Sequence, residues 1–213
     1  KGGFFFMSIA FYQEITRSVE FKVSPFGIKV KKHHSEVELI GVGRSACAFL
    51  IKGTNKVIKI FPSEFTKVAK LEAKIYRKLK GIPQFPTIYD SGYNYIVMEY
   101  IQGSTLFDCL HKGIEIKEEQ IFEVDKILDS ARKRGLNPSD VHLKNIILTG
   151  KGIKVIDVAR FEQNIQCFQW RDLRTTYFKV YKKKFFPKRL PKLLINIISK
   201  IYKLCIPHQF KNV

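Results

Sequence analysis

The stretch "GLNPSDVHLKNIILTGKGIKVIDVARF", Gly135–Phe161, constrains the fold more than any other part of the chain. Two short apolar runs, "NIILT" and "IKVID", are joined by Gly150-Lys151-Gly152, a pattern that predicts a compact β-hairpin. A hairpin brings its last residue back to the side of its first. Asp157 is therefore expected beside Asn145, with Asp140 at the other end of the tight loop that precedes Asn145. Carboxylate and amide oxygens gathered at a loop and a strand end are hard ligands suited to Mg²⁺. In such a set one Asp orients a hydroxyl while Asn145 and Asp157 hold the metal. Those are the parts needed for phosphoryl transfer, in which positioning and charge neutralisation do most of the catalysis.

The rest of the chain sorts into two halves. Residues 8–18 read as a short helix, and "VEFKV" and "FGIKVKK" alternate as strands around a Pro25–Gly27 turn. "VELIGVG", "ACAFLIK" and "KVIKIF" read as glycine-interrupted strands. A helix with Ser63 as cap, apolar positions Val68, Leu71, Ile75 and Leu79, and an end at Gly81 follows. "IPQFPTIYDSGYNYIVMEYI" reads as loop, strand, turn, strand. Beyond a linker near Gln102–Gly103 the periodicity becomes helical, over 104–112 and 117–134 and again near the C-terminus.

Composition narrows the chemistry. Hydrophobic residues make up 45% of the 213, enough for a core, and the formal net charge is +19. That surplus predicts attraction to polyanions and says nothing of fold. Cys47, Cys109, Cys167 and Cys205 are far apart and form no CxxC pair, which argues against a metal site or disulfide frame and for a reducing, cytoplasmic setting. No apolar run reaches the roughly 18 residues of a membrane span. Phe4–Phe6 are too short for the apolar region of a signal peptide. Met7 is the expected start, with residues 1–6 an upstream-translated or non-native extension, because Lys-Gly-Gly is what a bacterial ribosome-binding site spells in frame.

In sequence order these features resemble the protein-kinase fold, of the short bacterial Ser/Thr-kinase-like kind, over roughly residues 36–175. "LIGVGRSACAFLI" resembles the glycine-rich loop, with Gly41, Val42, Gly43 and Arg44 at the phosphates and Ala46 at the third glycine position. "VIKIF" resembles the strand carrying the phosphate-binding lysine, here Lys59. "KLEAKIYRKL" resembles the helix whose glutamate pairs with that lysine, here Glu72, with Glu64 as the rival on the same helix. "IVMEYI" resembles the hinge, where backbone groups of Glu99 and Ile101 would bind adenine. Asp140 and Asn145 match the catalytic loop, and Asp157 matches the metal-binding aspartate. The resemblance implies an α+β bilobal protein-kinase-like fold: an N-lobe at 7–101, an antiparallel sheet with one main helix, and a compact, mostly helical C-lobe at 102–213. It also implies ATP and Mg²⁺, with Asp140, Lys59 and Glu72 as catalytic residues and Asn145 and Asp157 as metal ligands.

The sequence departs from that pattern in ways that bear on the acceptor. "PSD" stands where His-Arg-Asp is usual, and "DVA" replaces Asp-Phe-Gly. His142 occupies a position where Ser/Thr protein kinases usually carry lysine and small-molecule kinases often carry histidine. No Ala-Pro-Glu follows, and Asp172 is the expected buried aspartate of the next helix. Arg160 and Phe161 read as local packing. The expected activity is phosphoryl transfer to Ser/Thr of a protein. The alternatives are an aminoglycoside-kinase-like phosphotransferase and a nucleotide-holding pseudokinase acting as a binding module. From Arg171 to Val213 there are twelve Lys/Arg and one acid, Asp172. "KVYKKKFFPKRLPK" interleaves basic and aromatic residues, as a surface for an acidic partner or polyanion would. The apolar positions Leu190, Leu193, Leu194, Ile197, Ile198 and Ile201 form one helical stripe, expected to close the second lobe beneath a basic exterior.

Overall fold

In a computed structural model that describes residues 8–164 and 167–205, the chain divides into two units. One is the segment through Lys80 together with Pro86–Tyr100, and the other is Gly81–Phe85 together with the chain from Ile101. Residues 1–6 lie outside the described part.

The first unit is built on an antiparallel sheet. Its five strands are β3 (Val37–Val42), β4 (Cys47–Ile51), β5 (Lys56–Ile60), β6 (Ile88–Ser91) and β7 (Tyr95–Glu99), in the order β3-β4-β5-β7-β6. Before it come α1 (Ile9–Ser18), capped by the Ser8 side chain, and a separate hairpin of β1 (Glu20–Ser24) and β2 (Gly27–Lys32). Gly27 turns that hairpin with φ of 126°, where a Cβ would be strained. Ile15, Val37, Phe49, Ile58, Ile60 and Val97 are buried in one cluster. They come from α1 and from alternate positions of the strands, as a sheet with one apolar face requires.

The main helix, α2 (Thr66–Lys78), differs from its sequence reading. Ser63 begins a single 3₁₀ turn, Ser63–Phe65, and caps nothing. The buried positions of α2 are Ala69, Glu72, Ala73, Ile75 and Tyr76, whereas Val68 and Leu71 are only half-buried. The inward face is rotated because a carboxylate, and not a leucine, stands at its centre.

The second unit has a three-stranded sheet, β10 (Gly152–Val155), β9 (Ile146–Thr149) and β8 (Ser104–Thr105), and the helices α3 (Leu106–Lys112), α4 (Glu118–Arg132), α5 (Gln169–Thr176) and α6 (Lys192–Cys205). The β9–β10 hairpin pairs Ile146 with Val155 and Thr149 with Gly152. Gln84 accepts a bond from the Val155 N–H at 2.9 Å, which ties the Gly81–Phe85 segment to this unit. Gly103 is not loose linker, because a Cβ there would lie 2.4 Å from the Leu148 carbonyl oxygen. Asp125 of α4 accepts from Trp170 Nε1 at 2.7 Å and from Arg174 Nε at 2.8 Å, fixing α5 onto α4. After α5 the chain makes a π-helical turn, Tyr177–Tyr181. There the Tyr177 hydroxyl donates to the Ile116 carbonyl and the Ile116 N–H donates to the Tyr181 hydroxyl, both at 3.0 Å. Part of the aromatic interleaving in this segment is thus structural.

Two expectations fail here. Asp172 is not buried: its side chain is 32% exposed, and it accepts from the Tyr202 hydroxyl at 2.9 Å. The C-terminal stripe does not close the lobe either. Leu190 and Ile195 are buried, while Leu193, Leu194, Ile197, Ile198 and Ile201 are exposed. A single face of α6 had to be assigned from spacing, and spacing does not say which side a helix apolar over much of its circumference turns inward. Beneath α6 an apolar cavity of about 390 Å³ is lined by Leu106, Phe107, Trp170, Tyr177, Ile195 and Tyr202, among others.

Candidate active site

In the first unit, the sheet register sets the surroundings of Lys59. Gly41 pairs with Ala48, Ala48 with Lys59, and Lys59 with Ile96. Residues directly opposite one another point to the same face, so Lys59 shares its face with Ala48 and, one strand further, Gly41 on one side and with buried Ile96 on the other. The small side chains of Ala48 and Gly41 leave room on their side of the ammonium. Lys59 Nζ donates to Glu72 Oε1 at 2.7 Å and to Oε2 at 2.8 Å. Glu72 is fully buried and the Lys59 side chain is 16% exposed. A buried carboxylate requires such a partner, and the charge-assisted pair holds the ammonium at one end of its row. Glu64 is exposed and accepts from the Ser63 hydroxyl, away from Lys59.

Gly41, Val42, Gly43 and Arg44 lie at the β3–β4 turn. The Gly43 N–H donates to the Ala46 carbonyl at 2.8 Å, and a Cβ on Gly43 would stand 3.1 Å from that oxygen. Gly43 therefore serves a tight turn, while Gly41 has ordinary space, 3.8 Å to the Ala48 Cβ. Glu99 ends β7 with its N–H bonded to the Thr87 carbonyl and its carboxylate accepting from the Thr87 N–H. Ile101 begins the second unit.

In the second unit, Asp140, Asn145 and Asp157 gather around the open end of the β9–β10 hairpin. The Ile156 N–H donates to the Asn145 carbonyl at 2.9 Å, extending the ladder by one bond and placing Asp157 next along the chain. Asn145 is buried, and its amide nitrogen donates to the Asp140 carbonyl at 3.0 Å. That bond fixes the orientation of the amide group. Asp140 has φ of 58° and Asp157 has φ of 60°. Among the described residues they are the two non-glycine positions with positive φ. Left-handed backbone at a residue with a Cβ costs free energy and concentrates at functional sites. Asp157 is exposed, whereas the Asp140 side chain is 13% exposed.

Arg160 also belongs to this group. Its Nε lies 3.5 Å from Asp140 Oδ2, and its side chain is only 13% exposed. From the sequence, Arg160 reads as local packing. The available signal was its place three residues after Asp157, which returns it to the loop that holds Asp140. His142 Nε2 is 4.0 Å from Asp140 Oδ1. The loop is further fixed by the Asn137 N–H to the Phe161 carbonyl at 2.7 Å and the Asn137 amide to the Gln163 carbonyl at 2.7 Å. Pro138 and Ser139, which stand in place of His-Arg, are buried.

Comparison with known proteins decides the family. "Putative serine/threonine-protein kinase YrzF" of Bacillus subtilis is 48% identical over 178 residues, covering 82% of this chain and 83% of that protein. The chain belongs to the protein-kinase-like family. This kinase-like chain also matches "Probable serine/threonine-protein kinase SCO3848" of Streptomyces coelicolor, at 27% identity over 123 residues. There it covers 49% of its own length but only 18% of the relative. A solved structure, the Cydia pomonella granulovirus kinase PK-1, is 21% identical with a TM-score of 0.46, over 59% of this chain and 54% of that one. No family profile matches. At the coarse level the kinase-like chain is a phosphotransferase of the kinase class, with an antiparallel sheet in its N-terminal part and a largely helical remainder.

The donor set fits a divalent ion of the hard kind. Among the described residues no group of three His, Cys, Asp or Glu side chains could hold a metal. The candidate donors are one carboxylate, Asp157, and one amide oxygen, Asn145. That sparse all-oxygen set suits Mg²⁺, which keeps waters and phosphate oxygens in most of its positions. Cys47, buried at the start of β4, has its thiol pushed up to about 11 by burial. It is a small core residue and not a nucleophile.

Proposed function

We propose that the chain is an ATP- and Mg²⁺-dependent kinase that phosphorylates Ser or Thr hydroxyls of a protein. The observation that carries this reading is the coincidence of left-handed backbone with the two aspartates, Asp140 and Asp157, that the phosphoryl-transfer pattern requires. Lys59, held by Glu72, would orient the α- and β-phosphates. The backbone of Glu99 and Ile101 would receive adenine, and Gly41–Arg44 would cover the phosphates. Asn145 and Asp157 would hold Mg²⁺, which supplies charge neutralisation on the phosphate oxygens. Asp140 would orient the acceptor hydroxyl and take its proton as the oxygen bonds to the γ-phosphorus. The bond to the β–γ bridging oxygen breaks, and ADP leaves. Arg160 would position the Asp140 carboxylate for that role.

His142 near Asp140 favours a second reading, transfer to the hydroxyl of a small molecule. Labelled ATP and Mg²⁺ with host lysate separate the two: labelled protein bands support the first, a labelled soluble metabolite the second. Tight ATP binding without any label points to a nucleotide-holding binding module. Asp157→Asn provides the internal control, since Asn also tolerates left-handed backbone. The variant should fold normally and lose transfer, and wild-type turnover with unchanged Mg²⁺ dependence removes Asp157 from the metal site.

A further inference from the structure

We infer that α6 is a membrane-docking helix that lays its apolar row on an anionic lipid surface. Leu193, Ile197, Ile201 and Leu204 recur at four- and three-residue spacing, which sets them in one row along the 14-residue helix. They are 72%, 43%, 54% and 77% exposed, and Leu194 beside them is 42% exposed, while Ile198 borders the cavity beneath the helix. The attachment of α6 to its own unit uses other positions: buried Ile195, and Tyr202, whose hydroxyl donates to Asp172. An exposed contiguous apolar row on a helix that is already anchored by its opposite side marks an interaction surface.

Charge identifies what covers it. From Leu173 to Cys205 the sequence contains no Asp or Glu. Lys192 and Lys200 on the helix are exposed, as are Lys182, Lys183, Lys184 and Arg189 in the segment that leads to it. Phe185, among those lysines, is 83% exposed. A helix with leucine and isoleucine on one side and lysines at the border matches an interface whose phosphates meet the cations and whose acyl chains meet the apolar row. The lysine stems can lie along the apolar boundary while their ammonium groups reach the headgroups. Nucleic acid would satisfy the cations but leave Leu193, Ile197, Ile201 and Leu204 in water. A second copy joined through the same patch would set lysine against lysine with no carboxylate in the patch to pair with them. No described helix is long and apolar enough to cross a membrane. This inference stands apart from the phosphotransferase reading, because it involves none of the site residues.

Co-sedimentation of the full chain with vesicles tests it. The expected result is binding to phosphatidylcholine vesicles that contain phosphatidylglycerol, at least about tenfold weaker on phosphatidylcholine alone, and weakened by salt. Ile197→Gln with Ile201→Gln should reduce binding to the anionic vesicles about tenfold or more, because the apolar contribution scales with the area inserted. Lys192→Gln with Lys200→Gln should reduce binding to anionic vesicles only. Both pairs are exposed, so the thermal midpoint should stay at the wild-type value. Failure to bind anionic vesicles at low salt overturns the proposal. So does vesicle binding that the Ile197/Ile201 pair leaves intact, since it would then be charge attraction without insertion. A dimer that the same pair dissolves, or retention of a single-stranded RNA in place of vesicles, would assign the face to another occupant.

Discussion

Glu72 shows what a single residue can demand of its surroundings. Its carboxylate is fully buried, and both oxygens accept from Lys59 Nζ. Removing the lysine leaves a buried charge without that partner, which costs roughly 3–5 kcal/mol in comparable cases. Lys59→Met should therefore lower stability as well as raise the Michaelis constant for ATP. Adding Glu72→Gln to it should restore much of the stability and none of the ATP positioning, which urea unfolding and nucleotide titration would read separately. If Lys59→Met unfolds at the wild-type urea midpoint, the pair does not hold the first unit together. Lys59 and Glu72 were legible in the sequence because a lysine flanked by Ile58 and Ile60 on a strand and a glutamate on the following helix keep a recognisable spacing. Arg160 was not, because its partner lies twenty positions earlier and the hydrophobic pattern around it gives an arginine no special place.

Elements show the same division between what spacing encodes and what packing decides. The β9–β10 hairpin and the five-strand sheet follow from alternation and glycine turns. The inward face of α2 and the outward row of α6 do not, since both depend on which neighbour each side meets. Register carries a consequence that composition could not reveal: the small side chains of Gly41 and Ala48 stand in line with Lys59 across three strands. Ala48→Leu would place a branched side chain on that face next to the ammonium. The expected outcome is weaker ATP binding with the fold retained, because Ala48 is half-buried at the edge of the core and not within it. An unchanged dissociation constant for ATP would mean that the row does not border the nucleotide. Gly103→Ala tests a different link, since a Cβ there meets the Leu148 carbonyl at 2.4 Å and its neighbour is backbone that cannot swing away. It should lower the thermal midpoint of the protein.

At the scale of the molecule, the arrangement around Asp140 bears on regulation. In a kinase switched by phosphorylation, an added phosphate gives an arginine a partner and so orders the catalytic loop. Here the residue before Asp140 is Ser139, which is buried and donates to the Asn137 carbonyl at 3.1 Å. The cation near Asp140 is Arg160, whose Nε lies 3.5 Å from the carboxylate. The loop and the segment that follows Asp157 are joined by the bonds of Asn137 to Phe161 and Gln163. The chain should therefore be active as synthesised. Thr175 and Thr176 are candidate acceptors for autophosphorylation, yet their hydroxyls donate to carbonyls within α5. Phosphatase treatment should leave the transfer rate nearly unchanged, and Arg160→Gln should lower turnover more than it raises the Michaelis constant for ATP. A rate that collapses on dephosphorylation and returns after preincubation with ATP would contradict this, and would require the Asp140–Arg160 pair to form only after a phosphate has been added.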